Sequence, residues 1–316
     1  MANSFVIKYK VVFSFIAISF IWGSTWAVSK LGIEQLPLAV LAYLRNLIAG
    51  SIMVTYFFYN GYSFPNIKQL IKFSILSMLL FTINCLLVLY SLEYIPSHIA
   101  AVIGCTSPLF IYVIQRIKKR TEINIFFILG CIISIAGIYM LVSSDLPKGS
   151  KQYYFLGILL SFIAVLAWSI GFCVMENNKK EENIYYSFAW QLFISGIVLY
   201  ILSLFSTNTF YFTSISFNGW LIVTYLSIIG SVLAFICLAY TMKFLPPNIS
   251  SLYVFINPIV AFCISVFFFK ITITILELSG IMFSLVGLWV SLSFQKIKTK
   301  NSMNTTPIII EKKTTN

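Results

Sequence analysis

Residues 90–110 read YSLEYIPSHIAAVIGCTSPLF, and residues 240–260 read YTMKFLPPNISSLYVFINPIV. The second stretch is a diverged copy of the first, shifted by 150. Tyr90 falls on Tyr240, Pro96 on Pro246 and Pro108 on Pro258. The same register sets Gly130 on Gly280 and Gly137 on Gly287. Ten positions are identical between 81–140 and 231–290 without a gap, roughly twice the chance level in so apolar a composition. The weight rests on the prolines and glycines, which are sparse. A second register, shifted by 146, sets Trp22 on Trp168 and Gly50 on Gly196. The chain therefore reads as a duplication, with one copy in 1–145 and the other in 152–295. Residues 296–316, rich in Lys, Thr and Asn, read as a disordered cytoplasmic tail.

Composition decides the surroundings. The chain is 59% hydrophobic and 9% charged, with a mean hydropathy of +0.94. A soluble domain of 316 residues cannot keep that much apolar surface from water. Apolar runs long enough to span a bilayer occur at roughly 11–29, 36–58, 71–92, 97–115, 123–143, 154–175, 184–206, 219–242, 248–269 and 273–294. The expected fold is an all-α polytopic membrane protein of ten transmembrane helices, five in each copy. Five is odd, so the second copy crosses the bilayer in the opposite sense. Inverted repeats of this kind build secondary transporters, with the solute site between the halves near the midplane. The first run belongs to the repeat, and no small-residue cleavage site follows it, so it reads as a span and not a removable leader.

The net charge of +12 invites a nucleic-acid reading, but its distribution argues for membrane topology. With the N-terminus inside, sixteen basic residues fall on the inner face: Lys8, Lys10, Lys68, Lys72, Arg116, Lys118, Lys119, Arg120, Lys179, Lys180, Lys243, Lys296, Lys298, Lys300, Lys312 and Lys313. Only Lys30, Lys148, Lys151 and Lys270 fall outside. That bias follows the positive-inside rule and predicts two cytoplasmic termini. The run from Arg116 to Arg120 reads as a topology anchor. Short loops and the lack of a transit-like presequence point to a bacterial inner membrane.

The chemistry of catalysis is thin. The six cysteines all fall inside apolar runs, and none forms a CxxC pair, so they read as packing residues. One histidine and nine acids offer no cluster for a metal. No Walker lysine or phosphate-cradling glycine loop is present. The reading is of no enzyme and no cofactor. Its partners are the bilayer and a small-molecule substrate, with no nucleic acid, in a monomer or homodimer.

The string FIWGSTWAVSKLGIEQLPLAVLAYLRNLIAG, from Phe20 to Gly50, resembles the opening of the EamA-type repeat of the drug/metabolite transporter superfamily. Trp22, Gly23, Ser24 and Arg45 match that family's pattern. Tyr90 to Phe110 resembles its third-to-fourth helix passage, and GCIISIAGIYML, Gly130 to Leu141, its fifth helix. In the second copy AYTMKFLPPNISSLYVFINPIVA and SGIMFSLVGLWV carry the same signature. The resemblance covers about residues 11–294. It implies ten helices, cytoplasmic termini and a central cavity reached alternately from each side. It also implies cargo such as amino acids, other small metabolites or drugs, frequently moved outward. The second copy departs from the pattern, with Ser169 and Ile170 where the first has Gly23 and Ser24. The acid often found before the last helix of a repeat appears late, at Glu277, after Lys270.

Several residues stand out as pathway candidates. Pro108 and Pro258 fall mid-run, where proline removes an N–H and frees the carbonyl four residues back, here those of Gly104 and Val254. At membrane depth a freed carbonyl needs a partner, which a cavity, water or solute supplies. Thr106, Ser107 and Asn257 flank these breaks. Asn84 lies about 13 residues into its run, hence ~20 Å deep; it either meets the solute or bonds a neighbouring helix. Arg45, ~10 Å deep, attracts an anionic group, snorkels to the headgroups or pairs with another helix. His98 and Glu93 are boundary residues that could couple transport to protons. Trp22, Trp168, Trp190, Tyr90, Tyr240 and Tyr253 are the aromatic candidates, and the glycines at 130, 137, 280 and 287 read as close helix packing or a dimer face.

The expected cavity holds Trp22, Asn84, Tyr90, Thr106, Trp168, Tyr240, Tyr253 and Asn257. Amides and aromatics with almost no charge suit a small neutral or zwitterionic solute, an amino acid or related compound. A sugar phosphate calls for paired Lys or Arg. The alternatives are a flippase for a lipid-linked intermediate and a non-transport membrane scaffold.

Overall fold

A computed structural model describes residues 2–95, 97–119, 124–142, 151–177, 183–205, 215–260 and 274–293. All regular structure among them is helical. In chain order the helices are α1 (Ala2–Gln35), α2 (Leu38–Tyr59), α3 (Ile67–Tyr94), α4 (Ser97–Gly104), α5 (Ser107–Lys119), α6 (Ile125–Val142), α7 (Lys151–Asn177), α8 (Ile184–Leu204), α9 (Phe217–Phe244), α10 (Pro247–Ser250) and α11 (Ile275–Ser293). A 3₁₀ stretch, Ser251–Phe255, extends α10. Local signals set the ends. Pro37 stands at the N-cap of α2. Asn66 and Gln69 form a reciprocal capping box at the start of α3. Ser216 accepts from Gly219 N to open α9.

Six of these helices are long and apolar enough to cross a membrane: Tyr9–Gln35, Leu38–Tyr59, Ile67–Tyr94, Tyr153–Met175, Ile184–Leu204 and Phe217–Phe244. Two shorter apolar helices run Ile125–Gly137 and Leu278–Ser291. The chain is a multi-pass membrane protein. The expected fourth span is divided into pieces of 8 and 13 residues, neither long enough to cross alone. Cys105 and Thr106 form the turn between them. Pro108 then sits in the first turn of α5, where its missing N–H interrupts no ladder. Thr106 O accepts there from Leu109 N and Phe110 N, at 3.1 and 3.2 Å. Pro258 likewise follows a turn, at Ile256, and the helical residues 257–260 begin anew. The remainder of the expected ninth run lies outside the described residues, as does the tail beyond 293.

Two further irregularities repeat. α3 contains a π-helical segment at Met78–Ile83, and α9 contains one at Ile228–Leu233. They lie 150 residues apart, the offset of the paired prolines.

The two copies pack through reciprocal contacts. A Cβ on Gly50 of α2 would overlap the backbone nitrogen of Phe193 on α8, and one on Gly196 would lie 2.5 Å from Leu47 Cα. Leu47 and Phe193 are themselves 146 apart. Residue i meets j while the copy of i meets the copy of j, the signature of a two-fold contact. The α6–α11 seam follows the same rule. A Cβ on Gly130 would lie 2.7 Å from Gly287 O, and one on Gly137 2.7 Å from Gly280 O. Ser134 Oγ donates to Ser284 O at 3.0 Å, again across 150 residues. Small residues let these backbones approach where lipid gives helices no hydrophobic reason to pair. These glycines are thus spent inside the chain, on its own two-fold.

Candidate functional site

A cavity of about 160 Å³ lies between the copies. α1 contributes Trp22, Thr25, Trp26 and Ser29, an i, i+3, i+4, i+7 stripe on one face. α2 gives Arg45 and Asn46, and α3 gives Leu80, Phe81, Asn84, Cys85, Val88 and Leu89. Gly104 and Ser107 line it from either side of the α4–α5 turn. The second copy supplies Val165, Trp168, Phe235, Tyr253, Val254 and Asn257. Part of the wall is a cluster of rings. Trp22 meets Trp168, Phe235 and Tyr253 at centroid distances of 5.7, 5.3 and 4.9 Å, all edge to face, the arrangement aromatic quadrupoles favour. Phe81 joins through Phe235 at 4.9 Å.

The π turns position the polar wall. A π turn shifts the ladder by one residue and leaves side chains and carbonyls free to bond elsewhere. In α9, Gly230 O accepts from Trp22 Nε1 at 3.0 Å and from Arg45 Nη2 at 3.3 Å. Ser231 Oγ donates five residues back to Leu226 O at 2.9 Å and accepts from Arg45 Nε at 3.0 Å. In α3 the equivalent residues are Leu80 and Phe81, which face the cavity as apolar wall. The next residue, Thr82, donates to Ser195 Oγ at 3.0 Å, and Asn46 Nδ2 meets the same hydroxyl at 3.0 Å. Packing against the turns is also mirrored. A Cβ on Gly230 would lie 2.9 Å from Thr25 Cγ2, and one on Gly171 would lie 2.7 Å from Leu80 Cγ. Thr25 corresponds to Gly171, and Leu80 to Gly230, so the small partner has changed sides.

Five expected cavity residues meet here: Trp22, Asn84, Trp168, Tyr253 and Asn257. Asn84 Nδ2 donates to Ala164 O on α7 at 3.1 Å. Asn257, in the amide orientation that satisfies it, donates to Ser19 O at 2.9 Å and Tyr253 O at 3.1 Å. Three others stand elsewhere. Tyr90 is 43% exposed on the outside of α3. Thr106 closes its own turn on Ile103 O at 2.7 Å. Tyr240 packs on Phe244 at 5.1 Å. Trp190 is buried against Phe64 at 4.7 Å, also away from the cavity. Pro108 and Pro258 do not line the cavity themselves; their neighbours Ser107 and Asn257 do. The carbonyl of Val254, which Pro258 frees, accepts from Cys105 Sγ at 3.1 Å, so one break serves the other. Glu93 is exposed, and the side chains of His98 and Glu277 lie outside the described residues. Arg45 reaches into the cavity and across to α9 instead of to the headgroups.

Thr25, Trp26, Ser29, Asn46, Cys85 and Phe235 are cavity residues that sequence reasoning passed over, while Ser107, expected beside the break at Pro108, lines the wall. The helical spacing of Trp22, Thr25, Trp26 and Ser29 is a legible signal for the first three. Among the described residues no group of three or more His, Cys, Asp or Glu side chains is placed to hold a metal.

The EamA-like transporter family model matches residues 9–143 and 155–293. Over 247 residues the chain is 28% identical to the uncharacterized inner membrane transporter YedA of Escherichia coli, covering 78% of each. Over 290 residues it is 26% identical to an uncharacterized transporter of Buchnera aphidicola from Schizaphis graminum, covering 90% of this chain and 95% of that one. An uncharacterized transporter of Bacillus subtilis, YoaV, is 24% identical over 195 residues, 61% and 66% of the two chains. A solved crystal structure superposes with a TM-score of 0.73 at 14% identity, covering 89% of this chain and 96% of that one; that likeness concerns the fold.

Proposed function

The chain belongs to the EamA-like transporter family, and on that premise we propose that it carries a small neutral or zwitterionic metabolite across the bacterial inner membrane, outward, by alternating access. The cargo class is an amino acid or related compound with an apolar or aromatic part. The observation that carries this reading is the cavity itself. It sits between two reciprocally packed copies, is walled by three tryptophans, Phe81 and Tyr253, and holds polar contacts from Asn46, Asn84 and Ser29. About 160 Å³ is small beside the roughly 300–1,000 Å³ of drug-sized sites, which favours a solute of few heavy atoms. Arg45 is the one charged residue on the described wall, too little for a phosphate dianion.

In this reading the chain crosses ten times with both termini cytoplasmic, the copies are inverted, and α4–α5 act together as one crossing. The ring cluster around Trp22 acts as the closure at one end while the other admits solute. Rocking of one copy against the other exchanges the two ends around a fixed site. The relatives named as inner membrane transporters support the location.

The test is efflux from proteoliposomes preloaded with a mixed pool of amino acids and related metabolites, followed by mass spectrometry. An Asn84→Ala, Asn257→Ala double variant is the control. Release of one solute class by the wild-type protein, lost in the variant, supports the carrier. A folded protein that releases nothing from any pool sinks it.

A further inference from the structure

We propose that Arg45 is the anchor for a free carboxylate on the transported solute, an assignment that rests on the carrier reading above. The geometry leaves one edge of its guanidinium open. The Nε and Nη2 donors are taken by Ser231 Oγ and Gly230 O, at 3.0 and 3.3 Å, on the π turn of α9. Those two bonds fix the plane of the group. They leave Nη1 and the second Nη2 hydrogen, the planar fork that pairs with a carboxylate through two parallel bonds. Arg45 lines the cavity.

The charge balance points the same way. Both protein partners of Arg45 are neutral, and no acid lines the cavity among the described residues. Glu34 and Glu93 are exposed. Cys85, also on the wall, offers only a thiol. A cation held at membrane depth with neutral partners lacks the counter-charge that offsets its desolvation. A solute carboxylate brings that charge into a site of low dielectric, where the attraction is strong. A second acceptor or donor stands ready. Ser29 is buried, lines the same cavity and makes no protein hydrogen bond among the described residues. The remaining wall, Trp22, Trp26, Phe81 and Trp168, suits an apolar group and tolerates an ammonium over a ring face. Ligand chemistry therefore reads as one carboxylate near Arg45 and an apolar remainder against the rings. A single guanidinium matches a single negative charge.

The experiment uses pairs that differ only at the carboxyl group. Proteoliposomes carrying the full chain are preloaded with each of a set of amino acids together with its primary amide, and with 3-phenylpropionate together with its amide. Efflux is measured by mass spectrometry, with leak from protein-free vesicles subtracted. The acids are expected to leave at least 10-fold faster than their amides. Arg45→Gln is expected to remove that preference and slow acid efflux at least 10-fold. Arg45→Lys, which keeps the charge but not the fork, is expected to retain part of it. Thermal unfolding of both variants in detergent checks that they fold. Amides that leave as fast as acids overturn the anchor while the carrier stands. So does acid efflux unchanged by Arg45→Gln. Release of neither member of any pair overturns the carrier reading, and the anchor falls with it.

Discussion

The two π turns occupy equivalent places in the two copies and do different work. In α3, Leu80 and Phe81 present an apolar surface to the cavity; in α9, Gly230 and Ser231 turn a carbonyl and a hydroxyl toward Trp22 and Arg45. Duplication has preserved the backbone irregularity while the side chains on it diverged. The result is a division of labour. The first copy supplies fourteen of the twenty described wall residues, including both wall residues of α2 and all six of α3. The second copy supplies the other six, and through Gly230 O and Ser231 Oγ it also holds Arg45 in place. A pseudo-symmetric frame therefore encloses an asymmetric site.

The largest expected effect tests the frame. A side chain at Gly50 must displace the backbone of Phe193, and at Gly137 that of Ser284. Backbone cannot yield as a side chain end can, so Gly50→Leu and Gly137→Leu are each expected to destabilise by about 3 kcal/mol or more. The check is thermal unfolding and monodispersity in detergent. Gly104→Ala is the counterpart inside the cavity, where a new Cβ would meet Trp26 at an ordinary 3.4 Å. It is expected to leave the melting point nearly unchanged and to lower transport. Equal melting points for Gly50→Leu and the wild type would falsify the tight two-fold seam.

The next effect tests the exchange of small partners. Gly230→Leu crowds Thr25, whereas the equivalent pair has Leu80 resting on Gly171. Gly230→Leu alone is expected to cost about 1–3 kcal/mol. Adding Thr25→Gly recreates the Leu80–Gly171 pairing of the α3 turn and should return about 1 kcal/mol or more, read as the coupling in a double-mutant cycle. Strict additivity would mean that the two turns are not packed as equivalents.

How far the fold could be read beforehand follows from which interactions are local. Helix existence, the duplication and the sites of the breaks are written in apolar runs and in the paired prolines, because hydrophobicity and a missing N–H act where they stand. The π turns carry no such mark. Leu80–Phe81 and Gly230–Ser231 share no residue, and what lies against each turn comes from the opposite copy, Gly171 at Leu80 and Thr25 at Gly230. The site was half legible for the same reason. Trp22 and Trp168 are visible through their repetition, and Asn84 through its depth. Arg45 is visible as a charge, but its reach to α9 depends on a π turn that sequence does not announce. Tyr90 and Tyr240 repeat as faithfully as the tryptophans yet stand outside the cavity, since repetition preserves packing and interface residues as well as walls.

A smaller effect separates the support of Arg45 from Arg45 itself. Ser231→Ala removes the Nε partner and leaves Gly230 O as the remaining hold on the guanidinium. A hydrogen bond to a charged group contributes about 1.5–3 kcal/mol, but the loosened fork can still find a carboxylate. Ser231→Ala is therefore expected to raise the apparent KM for solute several-fold with a modest change in maximal rate. The equivalent change on the other turn, Phe81→Leu, removes no polar contact and should leave the acid-over-amide preference intact.

The smallest expected effect is at the repeated tyrosines. Tyr90 is exposed on the outside of α3, and Tyr240 packs on Phe244 away from the wall. Tyr90→Phe and Tyr240→Phe each delete one hydroxyl and no ring, so stability should move by no more than about 0.5 kcal/mol and transport by less than about two-fold. Trp22→Phe and Trp168→Phe keep a ring but not its size, and Trp22 also loses its bond to Gly230 O. They should lower transport far more than the tyrosine changes do. Recurrence in the sequence ranks these four residues alike, and position in the asymmetric wall ranks them apart. A tyrosine variant as impaired as a tryptophan one would mean that the solute path runs along the repeated residues themselves and not through the cavity between the copies.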